Sequence, residues 1–416
     1  MGATLLTLLS AGQPIFYEAI FGYLEACDVL RLLATCRQIH DIERCIFDVD
    51  RQLRPFVKEP LKFRQIMATY NLVVSGSVAL KLFSRDSWKS ADLDIYTSST
   101  KSLLATWGFL KREKYIFEPY VWHSATVETS VANLSTLKER LTRISRSSDE
   151  DDDDDIGRIY ASKEIRDVYR FVRPKDGSRV EIILTRGLEI EAITDGYYST
   201  YIMNFFTYRK AYCLFPYHTI SRREGFRTVN FESEKTAIGF AKYSDRGYKV
   251  EKYGDYHPCK LHCPLRPHRR IGDCFTWSIT FPTEKIFKPA VESILEAYTF
   301  GLKAHSSFEY GDEPRQFTSK EFIYLSSVWF THKLLAQPLL IDDRTDSWAV
   351  FLKETLDKIE KQRHSYFIAD PLLQADTVIK GRDRLLDAEV PKYYQYWYDT
   401  IMPGEFIWRG QYPMLQ

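Results

Sequence analysis

Residues 72–96 constrain the fold of this chain more than any other stretch, because they join four local signals in one short segment. Leu72–Val74 is an apolar run that predicts a short buried strand, and a Ser-Gly-Ser turn centred on Gly76 follows it directly. Val78–Phe83 then has helix-like character, and Ala91–Tyr96 alternates as a half-buried strand does. The segment therefore predicts a strand, a glycine turn, a helix and a second strand in succession.

The second strand of this segment carries two aspartates. Side chains alternate between the two faces of a strand, so we expect Asp92 and Asp94 on one face and Leu93 and Ile95 on the other. Neighbouring carboxylates repel each other unless a cation lies between them. Mg²⁺ usually takes one or two carboxylates together with waters and substrate phosphates. The pair suits Mg²⁺, but on its own it favours two solvated aspartates on an ordinary strand.

The glycine turn before the helix is suited to bind an anion. The first backbone N–H groups of a helix have no intrahelical partner and attract negative charge. Gly76 and Ser77 stand at this point, so we expect both to contact a phosphate group. Lys81, Arg179 and Arg246 are candidates to add positive charge, and the sequence does not choose among them.

A later pair of strands supplies a third carboxylate. Asp167–Val172 alternates as a strand, and Pro174–Gly177 predicts a turn, because proline fixes φ and glycine permits positive φ. Arg179–Leu184 is the expected return strand, and it carries Glu181. Glu181 is a candidate third carboxylate for a site, and an ordinary glutamate at the edge of a sheet is the alternative.

These residues together resemble the core of the nucleotidyltransferase superfamily, which has a polymerase-beta-like fold. The resemblance implies an α+β fold with a mixed sheet, in which Asp92, Asp94 and Glu181 are the metal-binding and catalytic carboxylates. It implies that Gly76, Ser77 and Lys81 bind the triphosphate of an NTP, with Mg²⁺ as the cofactor. Glu181 would complete the metal site or act as base to an acceptor hydroxyl, and the acceptor is not specified.

The N-terminal segment, residues 10–56, has apolar residues at helical spacing and is similar to an F-box. The residues that carry this resemblance are Pro14, Ile15, Ile20, Phe21, Tyr23, Leu24, Asp28, Val29, Leu30, Leu32, Cys36 and Arg37. The resemblance implies docking to a Skp-family adaptor of a cullin ubiquitin ligase. This function is the alternative to catalysis, with the core then acting as a binding module. The structural alternative is a small helical subdomain packed on the core.

Residues 10–280 as a whole look like a group of uncharacterised fungal proteins, in which an F-box-like region precedes a Gly-Ser and Asp-Leu-Asp core. Met203–Asn204, Tyr243–Tyr248 and the stretch before Trp277 belong to the same pattern. In that group the third acidic position is often a glutamine, which implies that many members have lost catalysis. This chain has Glu181 at that position, so the resemblance leaves both an enzyme and a pseudoenzyme open.

The sequence also predicts how the rest of the chain is divided into regions. Residues 57–280 are expected to form the nucleotidyltransferase-like core, with an acidic disordered insertion at 145–157, and residues 281–416 a helical region. Within the core, we expect a helix from Lys101 that ends at Gly108, and a helix that begins near Leu188 and continues through 201–215. The C-terminal tail is dense in aromatic residues, which favours packing onto a core over stacking of bases.

Composition gives an expectation for the cellular location of the chain. Its seven cysteines are an odd number at irregular spacing, which favours reduced thiols inside a cell. No apolar run is long enough to span a bilayer, so we expect no membrane contact and a cytoplasmic or nuclear location. Six residues crowd a Pro-rich stretch and could bind zinc or simply pack in a loop: His257, Cys259, His262, Cys263, His268 and Cys274.

Overall fold

The computed structural model describes most of the first 287 residues and little beyond them. The described ranges are 21–35, 43–88, 91–134, 164–194, 196–228, 234–251, 269–273 and 275–287, with short stretches between 295 and 396. The chain forms two compact units. The first comprises Met1–Tyr253, Trp277–Lys288 and Tyr412–Gln416, and the second comprises Gly254–Thr276 and Pro289–Gln411.

The first unit is built on one eight-stranded sheet with the strand order β11-β7-β6-β1-β2-β5-β4-β3. The strands are β1 Val73–Ser75, β2 Leu93–Thr97, β3 Ile116–Glu118, β4 Ile165–Arg173, β5 Ser178–Thr185, β6 Asn204–Phe206, β7 Lys210–Cys213 and β11 Trp277–Thr280. Only β2 and β5 pair in parallel, and the other neighbours are antiparallel. A parallel two-stranded sheet, β8 Glu224–Phe226 and β9 Lys249–Glu251, adds to this unit.

Helices accompany the sheet along the chain, so the α+β class with a mixed sheet is confirmed. They are α1 Ala26–Thr35, α2 Glu43–Ile46, α3 Val49–Leu53, α4 Pro60–Tyr70, α5 Gly76–Ser84, α6 Thr100–Arg112, α7 Val127–Ala132, α8 Glu189–Thr194 and α9 Glu234–Ser244. Both strands and the helix expected within residues 72–96 are present as β1, α5 and β2. The expected hairpin is also present, with Gly177 at a φ of +70° in the turn between β4 and β5.

The two faces of the sheet differ in character. Leu93, Ile95, Val180 and Ile182 point into the main hydrophobic core and are fully buried. The residues between them on β2 and β5, Asp94 among them, point to the opposite face because side chains alternate along a strand. This second face carries the candidate site.

The N-terminal helices pack in the same core as the sheet. Val29, Leu30 and Leu33 of α1 are at most 1 % exposed and belong to that core. Residues on both sides of the expected boundary at residue 57 therefore lie in one compact unit. Of the F-box-like residues, Pro14, Ile15, Ile20, Cys36 and Arg37 lie outside the described residues.

Arg64 of α4 ties the N-terminal helices to the sheet. Its side chain is 2 % exposed, and its Nη1 lies 3.2 Å from the Asp50 carboxylate. Nε donates to the Tyr208 carbonyl at 2.8 Å, and Nη2 donates to the Pro282 carbonyl at 2.6 Å. A buried guanidinium is stable only when its donors are satisfied in this way.

Glu43 makes a second polar link within this unit. It accepts a hydrogen bond from Trp277 Nε1 at 3.3 Å. Burial raises the pKa of Glu43 to about 7, and the hydrogen bond from Trp277 lowers it by a smaller amount. The folded chain therefore favours the neutral carboxyl.

Two local expectations were wrong. The helix expected to end at Gly108 continues to Arg112, because burial of Phe109 and Leu110 outweighs the cost of about 1 kcal/mol for a helical glycine. The helix expected from Leu188 through 215 is present only as α8 and a short 3₁₀ helix, Thr200–Ile202, and β6 and β7 follow. Phe205 and Tyr212 pair across these two strands, where aromatic residues pack well on a pleated surface.

The second unit is described only in part. Its described residues include β10 Arg269–Arg270 paired with β12 Thr299–Phe300, β13 Phe322–Ile323 paired with β14 Leu339–Leu340, and helical residues 350–355. Strands β12, β13 and β14 lie within the region expected to be helical. Most of residues 281–416 lie outside the described residues, so the helical region stays a prediction.

Several expected features cannot be placed. The acidic insertion at 145–157, all six residues of the Cys/His group and nearly all of the aromatic tail lie outside the described residues. None of the helices that the structure describes is long and apolar enough to cross a membrane.

Candidate functional site

A row of polar residues runs across five neighbouring strands of the sheet, in the order β1, β2, β5, β4 and β3. Strand pairing places Ser75 opposite Asp94, Asp94 opposite Glu181, Glu181 opposite Arg170, and Arg170 opposite Glu118. Residues that pair across strands share a face, so these five side chains, called the polar row below, all belong to the second face. Asp94 and Glu181 are therefore direct neighbours, as the nucleotidyltransferase resemblance implies, and their chemical roles stay predictions.

Asp92 differs from the other two predicted carboxylates. It lies one residue before β2, is partly exposed, and has no strand partner in the sheet. Within the described ranges, no three His, Cys, Asp or Glu side chains are grouped so that they could hold a metal ion. The structure thus brings Asp94 and Glu181 together and leaves Asp92 outside that pair.

The oxygen set at the polar row suits Mg²⁺ in one particular arrangement. Mg²⁺ keeps several waters and is commonly bound by one or two carboxylates together with substrate phosphates. Asp94 and Glu181 supply two carboxylates side by side, and the N-terminus of α5 supplies an adjoining place for a phosphate. The residues present fit a metal ion shared with a triphosphate better than a site made by protein groups alone.

Gly76 is required by the position of Asp94. It begins α5 at a φ of +74°, which L side chains rarely adopt. A Cβ added at residue 76 would lie 2.0 Å from Asp94 Oδ2. The turn therefore brings the first backbone of α5 into direct contact with the carboxylate, and only glycine leaves room for both.

Ser77 faces an aromatic and cationic cluster. Its Oγ lies 3.1 Å from the Tyr243 hydroxyl, and Arg246 Nη1 donates to it at 3.3 Å. The Arg246 guanidinium lies 4.4 Å from the centre of the Trp88 ring and 5.0 Å from that of Tyr243. Contact with two aromatic faces fixes the guanidinium in position beside the start of α5.

The structure separates the three candidate cations. Arg246 contacts Ser77, whereas Lys81 donates from Nζ to the Trp88 carbonyl at 3.2 Å. Burial first, and then the nearby Arg246 charge, lower the pKa of Lys81, while Asp86 raises it. Arg179 is exposed near the start of β5. Arg246 is therefore the cation best placed to reach a phosphate at Gly76 and Ser77.

The negative charge of Asp94 reaches the tyrosines around it. Burial raises the pKa of Tyr243 to about 12, and Asp94 adds to the increase against the opposing effects of Ser77 and Arg246. Burial and Asp94 also raise the pKa of Tyr96 well above its usual range, and the Tyr96 hydroxyl donates to Tyr197 at 2.8 Å. These phenols stay protonated at neutral pH and can donate hydrogen bonds.

Two residues that the sequence analysis did not identify contact Glu181, and a third, Trp122, packs on one of them. Arg170 Nε donates to Glu181 Oε1 at 3.2 Å, and the Tyr120 hydroxyl donates to the same oxygen at 3.4 Å. The Tyr120 ring stacks on Trp122 with 4.6 Å between ring centres and an angle of 2°, and Arg170 lies over the Tyr120 ring. The alternation along β4 indicates the face of the strand on which Arg170 lies, whereas no local pattern predicts the contact between Tyr120 and Trp122.

A buried histidine anchors the loop that carries Tyr120. The Tyr120 backbone N–H donates to His123 Nδ1 at 3.2 Å, so Nε2 carries the proton and donates to Asp167 at 3.1 Å. Trp122 Nε1 also donates to Asp167, at 3.2 Å. Both side chains of the His123–Asp167 pair are at most 3 % exposed, so this loop is held rigidly against β4.

Comparison with known proteins gives no relative from which a function could be transferred. No family model matches the chain, and no curated protein or solved structure shows significant similarity to it.

Proposed function

We propose that the first unit is a nucleotidyltransferase-like core that binds an NTP with Mg²⁺ and transfers a nucleotide to an acceptor hydroxyl. The observation that carries this proposal is the alignment of Asp94 with Glu181 on adjacent parallel strands, directly against the glycine that begins α5. Carboxylates and a helix N-terminus in contact are the two elements that a metal-bound triphosphate needs.

Each part of the site has a distinct task in this proposal. Asp94 and Glu181 would hold Mg²⁺, and Asp92, one residue before β2, would add negative charge near them. The backbone N–H groups at Gly76 and Ser77 bind phosphate oxygens, supported by the Arg246 guanidinium. Lys81 adds positive charge behind Arg246. When bound, Mg²⁺ neutralises charge that develops on the triphosphate.

The proposed reaction converts a phosphoanhydride bond of the NTP into a phosphodiester bond to the acceptor. The acceptor oxygen forms a bond to the α-phosphorus, the bond from that phosphorus to the β-phosphate oxygen breaks, and pyrophosphate leaves. The hydroxyl proton passes to Glu181 or to solvent water. Preorganised charges contribute most to such a reaction because little covalent chemistry is left to the protein.

Binding and transfer can be tested with the full chain, Mg²⁺ and NTPs labelled at the α-phosphate. We expect Mg²⁺-dependent NTP binding that Asp94→Asn and Glu181→Gln each weaken at least about tenfold. Glu59→Gln is the matched control, because it removes an exposed carboxylate whose partner is Lys62. Binding that is equal in all four proteins would refute the proposal. Binding without transfer would identify a pseudoenzyme.

The adaptor function has less support. Val29 and Leu30, which carry part of the F-box resemblance, are fully buried in the core shared with the sheet. Docking of a Skp-family partner through these side chains would require α1 to leave that core. The helical subdomain packed on the core is the simpler explanation of the pattern.

A further inference from the structure

Arg170 lies on the β4 side of Glu181, whereas Asp94 lies on the β2 side. Arg170 is a direct cross-strand partner of Glu181, and its Nε lies 3.2 Å from Glu181 Oε1. Its Nη1 lies 3.7 Å from Glu118 Oε2, on the next strand of the sheet. One guanidinium is thus shared between two carboxylates of the polar row.

This arrangement creates a competition for Glu181. A guanidinium and a divalent cation repel each other when both lie within a few ångströms of one carboxylate, and the effect is strong where solvent access is reduced. The Glu181 side chain is 22 % exposed and that of Glu118 is 54 % exposed. Glu118 is therefore the more hydrated of the two partners, and it can accept Arg170 at lower cost in desolvation.

We propose that Arg170 is a positioning residue that holds Glu181 before a metal ion binds and then moves to Glu118 when the metal takes Glu181. The inference rests on the proposed function, because it assumes that Asp94 and Glu181 are the metal-binding carboxylates. It adds that the affinity of this chain for a divalent cation is set by how tightly Arg170 is held at Glu181.

Tyr120 couples this exchange to the neighbouring loop. Its hydroxyl donates to Glu181 and accepts a hydrogen bond from Arg170 Nη2 at 2.5 Å. Its ring stacks on Trp122. Movement of Arg170 therefore changes the surroundings of a tryptophan, whose emission responds to such changes.

The test measures Mn²⁺ binding to the full chain without nucleotide, by the electron paramagnetic resonance signal of unbound Mn²⁺. We expect Arg170→Gln to bind Mn²⁺ about tenfold more tightly than the natural chain, because it removes a competing charge. Arg170→Lys should restore the weaker binding. Arg166→Gln is the matched control, since it removes an exposed arginine from the same strand, and its affinity should stay within about twofold of the natural value.

Glu118→Gln gives a second variant with the opposite effect on Mn²⁺ affinity, and it leaves folding intact because the Glu118 side chain is exposed. Without Glu118, Arg170 stays on Glu181, so Mn²⁺ binding should weaken about threefold or more. Mg²⁺ should change the tryptophan emission of the natural chain, and Trp122→Phe should remove most of that change.

The outcomes separate this inference from the proposed function. If Asp94→Asn weakens Mn²⁺ binding but Arg170→Gln leaves it unchanged or weaker, the role of Arg170 is refuted and the metal site stands. If the natural chain binds no Mn²⁺ without nucleotide, or Asp94→Asn has no effect on that binding, the role of Arg170 is refuted. The proposed function, in which the metal ion is shared with a triphosphate, is decided by the NTP-binding assay.

Discussion

Replacement of Gly76 by alanine tests the central contact of the site. The new Cβ would lie 2.0 Å from Asp94 Oδ2, whereas ordinary contacts are 3.4–4 Å, so the carboxylate has to move by more than 1 Å. The left-handed backbone at residue 76 adds about 1–2 kcal/mol for any residue with a Cβ. An off-rotamer Asp94 adds about 0.5–1.5 kcal/mol. We expect Gly76→Ala to lower the free energy of unfolding by about 2–3 kcal/mol.

Gly177→Ala is the matched control for this substitution. Gly177 has nearly the same φ, +70°, but a Cβ there would meet no atom within 4 Å. Gly177→Ala should therefore lower the free energy of unfolding by the backbone cost alone, about 1–2 kcal/mol. Denaturant unfolding gives both values, and Mn²⁺ binding by paramagnetic resonance reports whether Asp94 has moved. We expect Gly76→Ala to weaken Mn²⁺ binding at least about tenfold and Gly177→Ala to leave it unchanged.

The reasoning can be refuted in two ways. Equal destabilisation by Gly76→Ala and Gly177→Ala would show that Asp94 moves aside without cost. An unchanged Mn²⁺ affinity in Gly76→Ala would show that the position of Asp94 does not matter for the metal. A double-mutant cycle adds a check, because the extra loss from Gly76→Ala should disappear when Asp94 is already alanine.

Further substitutions test the parts of the fold that support the site. Leu30→Ala should lower the free energy of unfolding by about 2–5 kcal/mol in denaturant titrations, because the side chain is fully buried, and a loss below about 1 kcal/mol would contradict its place in the core. Arg64→Ala should cost about 3–5 kcal/mol in the same assay, whereas Lys62→Ala, which breaks only an exposed ion pair, should change stability by less than about 1 kcal/mol. Because burial raises the pKa of Glu43 from 4.5 to about 7, stability from its neutral form is present below pH 4.5 and is lost as pH rises through 7. Glu43→Gln should remove that loss, of the order of 2 kcal/mol, when unfolding at pH 5 and pH 8 is compared, and an equal pH dependence in both proteins would contradict the shift.

Local chemistry made much of the central fold predictable. The turn between β4 and β5 contains Pro174 and Gly177, each of which has a specific backbone preference, and the hairpin forms where they indicate. Alternation in β2 correctly predicted that Asp94 points away from the core residues Leu93 and Ile95. These features depend on residues close in sequence, so a single sequence contains the information.

Long-range contacts limited the prediction elsewhere. Phe205 and Tyr212 lie in an apolar stretch that was expected to continue a helix, and only their pairing across β6 and β7 makes them strand residues. The choice of Arg246 over Lys81 as the cation at Ser77 depends on how the loop after α9 returns to α5. Tyr120 reaches Glu181 because the His123–Asp167 pair holds its loop, which no local pattern indicates.

The alternation that gives the sheet its two faces also protects the site against errors in strand pairing. A shift of β5 by one residue would move Glu181 into the hydrophobic core and expose Val180 and Ile182 on the second face. The cost of burying an unpaired carboxylate makes this arrangement far less stable than the native one. Burial of the core residues thus fixes the register that places Asp94 beside Glu181. We expect single-residue insertions or deletions in β2 or β5 to abolish folding, even at positions where substitutions are tolerated.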